Sequence, residues 1–272
     1  MSDSKERVDI LLVERGYFDS REKAKAAVMA GLVFVEQERI EKAGSRISRS
    51  LPLTVKGAPH PYVGRGGLKL EKALTTFHID MTDKVMLDIG ASTGGFTDCA
   101  LQNGASFVYA IDVGYNQLDW SLRNHPRVRV MERTNFRYVQ KEDLQGPVPD
   151  LASIDVSFIS LKLILPVVKA IFGNAGATIA LIKPQFEAGR EKVGKSGVVR
   201  SPDVHREVLN DILTFASEQQ FALRGLTYSP ITGGEGNIEF LAYWTLDSDC
   251  SAQSRDQLIQ SVVDEAHGHF KE

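Results

Sequence analysis

The stretch Asp88-Ile-Gly-Ala-Ser-Thr-Gly-Gly-Phe-Thr97 decides the fold, because it joins a strand-like apolar run at 84–89 to a helix-like run at 96–102. Its three glycines let the backbone turn tightly and approach a ligand without a Cβ in between. Their spacing differs from the Gly-x-Gly-x-x-Gly of dinucleotide-binding folds, so a pyrophosphate is not the expected ligand. We interpret the stretch as the ligand-binding turn of an α/β sheet, and a turn that serves packing alone is the alternative.

Strand-like and helix-like segments alternate after residue 80. The expected strands are 84–89, 107–112, 128–131, 151–155 and 178–183, and the expected helices include 96–102, 159–172 and 203–219. This order predicts a mainly parallel sheet with helices on both faces. The runs 223–229 and 238–244 are joined by Thr232-Gly-Gly-Glu-Gly-Asn237, which indicates a terminal antiparallel hairpin. The expected class is therefore α/β, with a Rossmann-like sheet.

Asp112 ends the second strand, one βαβ step after Asp88. An acidic side chain at this position can accept hydrogen bonds from ribose hydroxyls. With the glycine turn and no phosphate fingerprint, it predicts S-adenosylmethionine as cofactor, its methionine part beside the loop and its ribose beside Asp112. Asn135 and Phe136 follow the third strand as candidates for adenine contact, although core packing of Phe136 is equally consistent. The expected cofactor residues are Asp88, Gly90, Ala91, Ser92, Thr93, Gly94, Gly95, Phe96, Asp112, Asn135, Phe136 and Asp155.

Four charged residues stand where an open α/β sheet places its ligands, beyond the carboxyl ends of the strands. They are Lys69, Asp155, Lys183 and Glu239. Lys183 directly follows four apolar residues, and an ammonium at the edge of a dry core is costly unless it is paired or functional. Each residue alone is compatible with an ordinary surface charge. Together they predict a catalytic site.

Overall composition excludes several classes of protein. The 272 residues are 43% hydrophobic and 25% charged, which are ordinary globular values. No apolar run approaches the ~20 residues that span a bilayer, and the polar N-terminus lacks the apolar stretch of a secretory signal. The cysteines, Cys99 and Cys250, cannot form a disulfide framework, and neither they nor the histidines have metal-ligand spacing. We expect a cytoplasmic protein without a metal; the sequence does not indicate its oligomeric state.

The N-terminal part differs from the rest in charge and pattern. Residues 1–72 carry a net charge of +4 and the remainder −7, which suggests a polyanion-binding segment, although chance gives swings of this size. Two short helices and a small sheet are expected before a Pro- and Gly-rich stretch at 56–64. The predicted domains are 1–56, a linker 57–64, 65–246, and a tail 247–272 that contains a helix. The expected RNA-binding residues are Arg7, Arg15, Arg21, Lys23 and Lys25; the alternative is a helical cap with solvated basic residues.

The stretch from Val8 to Val35, with Ser20-Arg21 and Gly31-Leu-Val at its core, resembles the S4-type RNA-binding fold of a ribosomal protein, tyrosyl-tRNA synthetases and pseudouridine synthases. This resemblance implies recognition of structured RNA through its shape and phosphates.

The order Lys69, Asp155, Lys183, Glu239 resembles the Lys-Asp-Lys-Glu tetrad of the FtsJ-like ribose 2′-O-methyltransferases. With Gly64-Arg-Gly-Gly-Leu-Lys-Leu-Glu-Lys-Ala-Leu74 and Lys183-Pro-Gln-Phe-Glu187, the chain is similar to the hemolysin A (TlyA) family. That resemblance implies a Rossmann-like sheet of the class I methyltransferase type and S-adenosylmethionine-dependent 2′-O-methylation of cytidine in the rRNA of one or both ribosomal subunits. Ser92-Thr93 departs from the small-residue and proline pair that is usual in the wider group, which leaves local cofactor contacts open.

The chemistry of a ribose hydroxyl suggests a role for each member of the tetrad. A hydroxyl is a poor nucleophile at neutral pH, so a base and an in-line arrangement are needed. Lys183 is the expected base, Asp155 orients it and faces the sulfonium, Lys69 holds the 2′-oxygen, and Glu239 positions a lysine. The alternatives are a methyltransferase acting on a small molecule and a membrane-acting hemolysin.

A basic, glycine-containing segment follows Lys183. Its cations are Arg190, Lys192, Lys195 and Arg200. We interpret residues 187–201 as a mobile loop that closes over RNA, and a plain surface loop is the alternative.

Overall fold

The computed structural model describes residues 5–18, 20–29, 31–36, 38–55, 60–246 and 255–270. The chain divides into two compact units, residues 1–61 and 62–272. Residues 57–59 of the predicted linker and 247–254 of the predicted tail lie outside the described residues.

The described part of the N-terminal unit combines two helices with short strands. In chain order its elements are β1 (Lys5–Arg7), α1 (Val8–Glu14), α2 (Arg21–Met29), β2 (Val33–Val35), β3 (Glu38–Arg39), β4 (Arg46–Ser48) and β5 (Leu53–Val55). β1 pairs with β4, and the other strands form an antiparallel sheet of order β3-β2-β5. The sequence predicts that the run beginning at 39–42 pairs with β2; the observed partner β3 spans two residues, and β5 is a second partner that the sequence did not indicate.

The helices of this unit bury the faces that their sequence spacing predicts. Val8, Leu11 and Leu12 of α1 and Ala24 and Val28 of α2 are almost inaccessible to water. Spacings of three and four residues place these side chains on one helical stripe. The same cluster includes Val33 and Leu53 from the sheet.

The second unit is an α/β domain. Its elements are α3 (Gly66–Phe77), β6 (Val85–Ile89), α4 (Gly95–Gln102), β7 (Phe107–Ile111), α5 (Trp120–Arg123), β8 (Val128–Met131), β9 (Leu151–Ile154), α6 (Leu165–Phe172), β10 (Ala177–Ile182), α7 (Pro184–Glu187), α8 (Pro202–Glu218), β11 (Ala222–Tyr228), β12 (Phe240–Thr245) and α9 (Arg255–His269). Among the described residues, seven strands form one sheet of order β11-β12-β10-β9-β6-β7-β8. The five strands from β10 to β8 are parallel, and β11 and β12 form the expected antiparallel hairpin. The predicted fold class is confirmed.

Both faces of the sheet are covered, as the apolar strands require. Along β10, Ile179 and Leu181 pack with α3 and α4, whereas Ala180 and Ile182 pack with α6, α8 and α9. The expected tail helix is α9, which buries Ile259, Val262, Val263 and Ala266 against the second of these faces.

Two element boundaries differ from prediction for identifiable reasons. The helix expected over 159–172 is a 3₁₀ turn at Leu161–Leu163 followed by α6, with Pro166 in the first turn of the helix. Proline has no N–H and is tolerated at that position but not in a helix interior. The strand expected over 238–244 begins at Phe240, so Glu239 precedes it.

The antiparallel insertion of β12 explains why the site can assemble. Because β12 runs opposite to β10, Phe240 at its start pairs with Ile182 at the end of β10. The residues just outside this pair are Glu239 and Lys183. Sheet topology thus places these two side chains at the same edge, where β6 and β9 also end.

Candidate active site

The four predicted charged residues lie together at this edge of the sheet. The Lys69 Nζ donates to Glu239 Oε2 at 2.7 Å and lies 3.6 Å from Asp155 Oδ2. The Lys183 Nζ lies 2.6 Å from Asp155 Oδ1 and donates to Ser157 Oγ at 3.0 Å. The side chains of the four residues are at most 18% exposed. Asp155 is therefore the shared partner of both lysines.

The electrostatics of the cluster keep Lys69 and Asp155 charged. Burial disfavours the ammonium of Lys69, but the carboxylates of Asp155 and Glu239 outweigh this effect and raise the pKa of Lys69. Burial also disfavours the carboxylate of Asp155, but Lys69 and Lys183 outweigh it and hold the pKa of Asp155 below its ordinary value. Compensation by opposite charges is what makes a buried ionic group tolerable.

The two lysines have unequal surroundings. Lys69 faces two carboxylates, whereas Lys183 faces one carboxylate, which it shares, and one hydroxyl. Removing the proton from Lys69 would leave two carboxylates facing a neutral amine. Lys183 therefore has fewer anionic partners than Lys69.

The glycine-rich loop after β6 packs directly against the tetrad. Gly90 has φ +89°, a backbone conformation that favours glycine, and a Cβ there would lie 2.5 Å from the carbonyl oxygen of Asp155. At the start of α4, a Cβ on Gly95 would lie 2.8 Å from the backbone nitrogen of Gly67 in α3. These close approaches require glycine, and they bring the loop beside the helix that carries Lys69.

Asp88 supports the loop from below. Its side chain is fully buried, accepts a hydrogen bond from Thr97 Oγ1 at 2.6 Å, and lies 3.3 Å from Ser153 Oγ. Burial raises the pKa of Asp88 to about 7. Its contacts connect the end of β6 to the first turn of α4, so this predicted cofactor residue lies under the loop rather than along the cleft.

The remaining predicted cofactor residues lie in two environments. Asp112 is half-buried at the end of β7, and its carboxylate accepts from the backbone nitrogens of Ser92 and Gly114, both at 2.7 Å. Asn135 caps a 3₁₀ turn through its side-chain oxygen, while Phe136 is buried in the hydrophobic core. Phe136 thus makes core contacts, as the packing alternative predicts.

A cleft of about 640 Å³ lies above the tetrad. All four charged residues line it, together with residues 90–93, 95 and 96 of the glycine-rich loop. This volume is in the range of small-molecule sites. The glycine-rich loop leaves no room for a Cβ, and the cleft also contains the carboxylate of Asp155. Both features fit a cofactor that carries positive charge on its sulfonium and amine groups.

Sequence reasoning missed several residues that line the cleft. Ser157 and Phe158 follow Asp155, and Gln185 and Phe186 follow Lys183. The ring of Phe158 is 90% exposed, and its centroid lies 4.9 Å from that of Phe186. Proximity in sequence to the predicted residues was the available signal. Asn237, which also lines the cleft, precedes Glu239 by two positions.

The predicted RNA-binding residues lie on and around the helices of the N-terminal unit. Arg7 and Arg21 both contact the buried carboxylate of Asp9, the shortest distances being 2.9 and 2.8 Å. Arg15 donates to the carbonyl oxygens of Arg49 and Leu51. These arginines thus have structural contacts in addition to any contact with RNA. Both remaining candidates lie on α2: Lys23, which is exposed, and Lys25, which is half-buried.

Two kinds of feature are absent from the described residues. No helix there is both long and apolar enough to cross a membrane. Within the same residues, no group of three or more His, Cys, Asp or Glu side chains is arranged to hold a metal ion.

Comparison with known proteins identifies both units. Residues 62–245 match the FtsJ-like methyltransferase family, and residues 6–51 match the S4 domain. The candidate rRNA methyltransferase YqxC of Bacillus subtilis is 56% identical, with 100% of this chain and 98% of that protein aligned. A Mycobacterium tuberculosis protein named 16S/23S rRNA (cytidine-2′-O)-methyltransferase TlyA is 38% identical, with 95% and 97% aligned.

A solved structure supports the same assignment over the whole length. A candidate hemolysin from Streptococcus thermophilus is 51% identical and superposes with a TM-score of 0.78, covering 99% of this chain and 98% of that one. The family match spans more than half of the chain and contains the whole tetrad and the glycine-rich loop. The chain therefore belongs to the FtsJ-like methyltransferase family, as an S-adenosylmethionine-dependent enzyme with an N-terminal S4 domain.

Proposed function

We propose that this protein methylates the 2′-hydroxyl of a cytidine ribose in ribosomal RNA, within one or both ribosomal subunits. The observation that carries the proposal is the carboxylate of Asp155 shared by two buried lysines beside a glycine-rich loop. The relative named TlyA, 38% identical over nearly its full length, is described as a cytidine-2′-O-methyltransferase of 16S and 23S rRNA.

A ribose hydroxyl must lose its proton as the new C–O bond forms. Lys183 accepts this proton as a neutral amine, and Asp155, 2.6 Å from its Nζ, holds the amine in position. S-adenosylmethionine held by the glycine-rich loop and Asp155 would supply an electrophilic methyl group, with S-adenosylhomocysteine as the leaving group. The proton passes from Lys183 to solvent, which balances the reaction.

Lys69 has a different role because it stays protonated. Glu239 and Asp155 raise its pKa, so Lys69 presents a permanent positive charge at the end of α3 that faces the cleft. This charge stabilises the oxygen as negative charge develops on it. Glu239 fixes the ammonium of Lys69 at 2.7 Å.

The S4 domain accounts for the choice of RNA as substrate. Its shape- and phosphate-directed recognition selects structured RNA without reading base edges. Recognition of this kind leaves the choice of nucleotide to the catalytic cleft. It also favours a folded ribosomal subunit over a short oligonucleotide as the physiological substrate.

The two alternatives are not favoured. A small-molecule substrate would leave the S4 domain without a role, and the relatives most similar to this chain include named rRNA methyltransferases. A membrane-acting hemolysin would leave the tetrad unexplained, although the catalytic domain is matched from residue 62 to residue 245.

The test uses separated small and large ribosomal subunits that lack this modification. The purified protein and radiolabelled S-adenosylmethionine should introduce 2′-O-methyl groups at cytidines, which are mapped by alkaline resistance of the phosphodiester bond. The Lys183→Ala variant should lower the rate about 10²- to 10⁴-fold, the usual range for loss of a general base, while cofactor binding persists. Label on a base, or no label in either subunit, would refute the proposal.

A further inference from the structure

The basic segment predicted as a mobile lid has an anchored inner turn. The backbone nitrogen of Gly194 donates to Val198 O at 3.1 Å, and that of Gly197 donates to Gly194 O at 2.8 Å. Val198 and Val199 are buried, while Gly197 lines the cleft. Residues 194–199, named here the inner turn, therefore contribute a packed wall of the cleft.

Asn237 connects the inner turn to the start of β12. Its side-chain oxygen accepts from the backbone nitrogen of Val199 at 3.0 Å, and its amide nitrogen donates to the carbonyls of Gly197 and Gly234, both at 3.0 Å. The residue is 3% exposed, so water cannot readily replace these bonds. The side-chain amide of Asn237 thus joins two loops that line the cleft. Asn237 itself precedes Glu239 by two positions.

His205 holds the other backbone group of Val199. Its Nε2 lies 3.1 Å from Val199 O, and because a carbonyl can only accept, the proton is on Nε2. In the neutral ring Nδ1 is then an acceptor, and it lies 2.9 Å from Nε2 of His267 in α9, which must donate. Burial beside His267 favours the neutral form and lowers the pKa of His205 to about 4. The backbone N–H and C=O of Val199 are therefore both hydrogen-bonded to buried side chains, those of Asn237 and His205.

We infer that Asn237 and His205 are positioning residues that fix the inner turn against the tetrad, with α9 as their outer support through His267. Neither side chain reaches the reacting atoms in this scheme. They keep this wall of the cleft in place, so that the ribose of the RNA proposed above meets the amine of Lys183 in one orientation. This inference rests on the proposed function for its substrate, but the anchoring itself is measurable without catalysis.

The experiment compares full-length variants by native-state proteolysis. Trypsin cleavage after Lys195 and Arg200 reports opening of the inner turn, because slow cleavage tracks the population of the open form. Asn237→Ala and His205→Ala should speed this cleavage about ten- to a hundredfold, as expected when buried hydrogen bonds are lost. His205→Gln, whose amide nitrogen can still donate to Val199 O, should restore most of the protection.

Activity measurements then separate positioning from general stability. Asn237→Ala should lower kcat/KM for ribosomal RNA at least about tenfold, and S-adenosylmethionine affinity should stay within about twofold. Asn237→Asp keeps the acceptor for Val199 and loses both donors, so its effect should resemble that of Asn237→Ala. The matched control is Asn124→Ala, which removes an amide bonded to the Trp120 carbonyl at an exposed helix end and should change neither readout.

Two outcomes would overturn the inference. Unchanged cleavage after Lys195 and Arg200 in both Asn237 variants would mean that this amide does not hold the inner turn. If cofactor affinity, melting temperature and activity all fell together, Asn237 would have a purely structural role. If the wild-type protein methylated no ribosomal RNA, the proposed function would fail, while the proteolysis would still decide the anchoring.

Discussion

Each unit of the molecule holds an aspartate between two cations, and the two arrangements differ in the cation. In the N-terminal unit, Asp9 receives two hydrogen bonds from Arg7, at 2.9 and 3.0 Å, and one from Arg21 at 2.8 Å. In the catalytic unit, Asp155 lies between the ammonium groups of Lys69 and Lys183. Hydrogen bonds from Arg7, with the charges of both arginines, hold the pKa of Asp9 well below its usual range.

The choice of cation separates a structural cluster from a chemical one. A guanidinium stays protonated in proteins and can donate two parallel N–H groups to one carboxylate. The Asp9 cluster therefore fixes the relative positions of its side chains. An ammonium is a point charge on a flexible stem and can lose its proton when its surroundings favour the amine. A carboxylate with two lysines therefore has cations beside it that can exchange a proton, whereas one with two arginines is suited to holding elements together.

The largest expected effect tests this distinction inside the cleft. Lys183→Arg keeps a positive charge beside Asp155 but removes the group that can become neutral. We expect methyl transfer to fall about 10²- to 10⁴-fold, as for loss of a general base, with S-adenosylmethionine affinity retained. Single-turnover rates and calorimetric binding measure the two quantities. A variant that retained a tenth of the activity would show that Lys183 acts through its charge alone.

The next effect concerns the shared carboxylate. Asp155→Asn leaves Lys69 paired with Glu239 but removes the carboxylate that Lys183 contacts, and breaking a buried ion pair in this way costs about 3–5 kcal/mol. Urea unfolding of the full-length protein should show this loss in the transition of the catalytic unit. Ser157→Ala is the matched control, since it removes one hydrogen bond from Lys183 and should cost about 1 kcal/mol. Equal losses for the two variants would contradict the central position of Asp155.

A smaller effect is expected in the N-terminal unit. Asp9→Asn removes the charge but keeps the size of the side chain, so the arginines lose charge-assisted hydrogen bonds worth about 1–3 kcal/mol in total. Hydrogen exchange at the amides of α1 and α2 should become faster. Affinity for S-adenosylmethionine should not change, because the predicted cofactor residues all lie in the catalytic unit. A change in that affinity would show that the cluster does more than hold its own unit together.

The sequence predicted the sheet and the tetrad because both depend on local order. An apolar strand followed by a charged residue is visible in the chain, and the ends of parallel strands meet at one edge. Lys183 and Asp155 were identified in this way. Lys69 and Glu239 were also predicted as members of the tetrad, but which lysine Glu239 contacts was not: Glu239 and Lys69 are 170 residues apart and meet because β12 is inserted antiparallel beside β10.

Other features depended on contacts that no local pattern specifies. Arg7 and Arg21 were predicted to bind RNA from their charge, and their common partner Asp9 was not recognised as a buried acceptor. The basic segment after Lys183 suggested a mobile lid, whereas Val199 of its inner turn is bonded to Asn237, 38 residues away, and to His205, six residues away. Charge and glycine content indicate exposure, but they do not reveal which backbone groups are held from elsewhere.

The smallest effect is a pH dependence of the Asp9 cluster. Because Arg7 and Arg21 lower the pKa of Asp9 in the folded protein, the unfolded chain takes up its proton first as the pH falls. The stabilisation is therefore complete above about pH 4, near the ordinary pKa of aspartate, and is lost as the pH falls further. The advantage of the wild-type protein over Asp9→Asn, measured by exchange of the same amides at matched pH, should shrink between about pH 4 and pH 3. A difference that stayed constant through this range would show that Asp9 contributes shape rather than charge, and the contrast with Asp155 would then have to rest on the lysines alone.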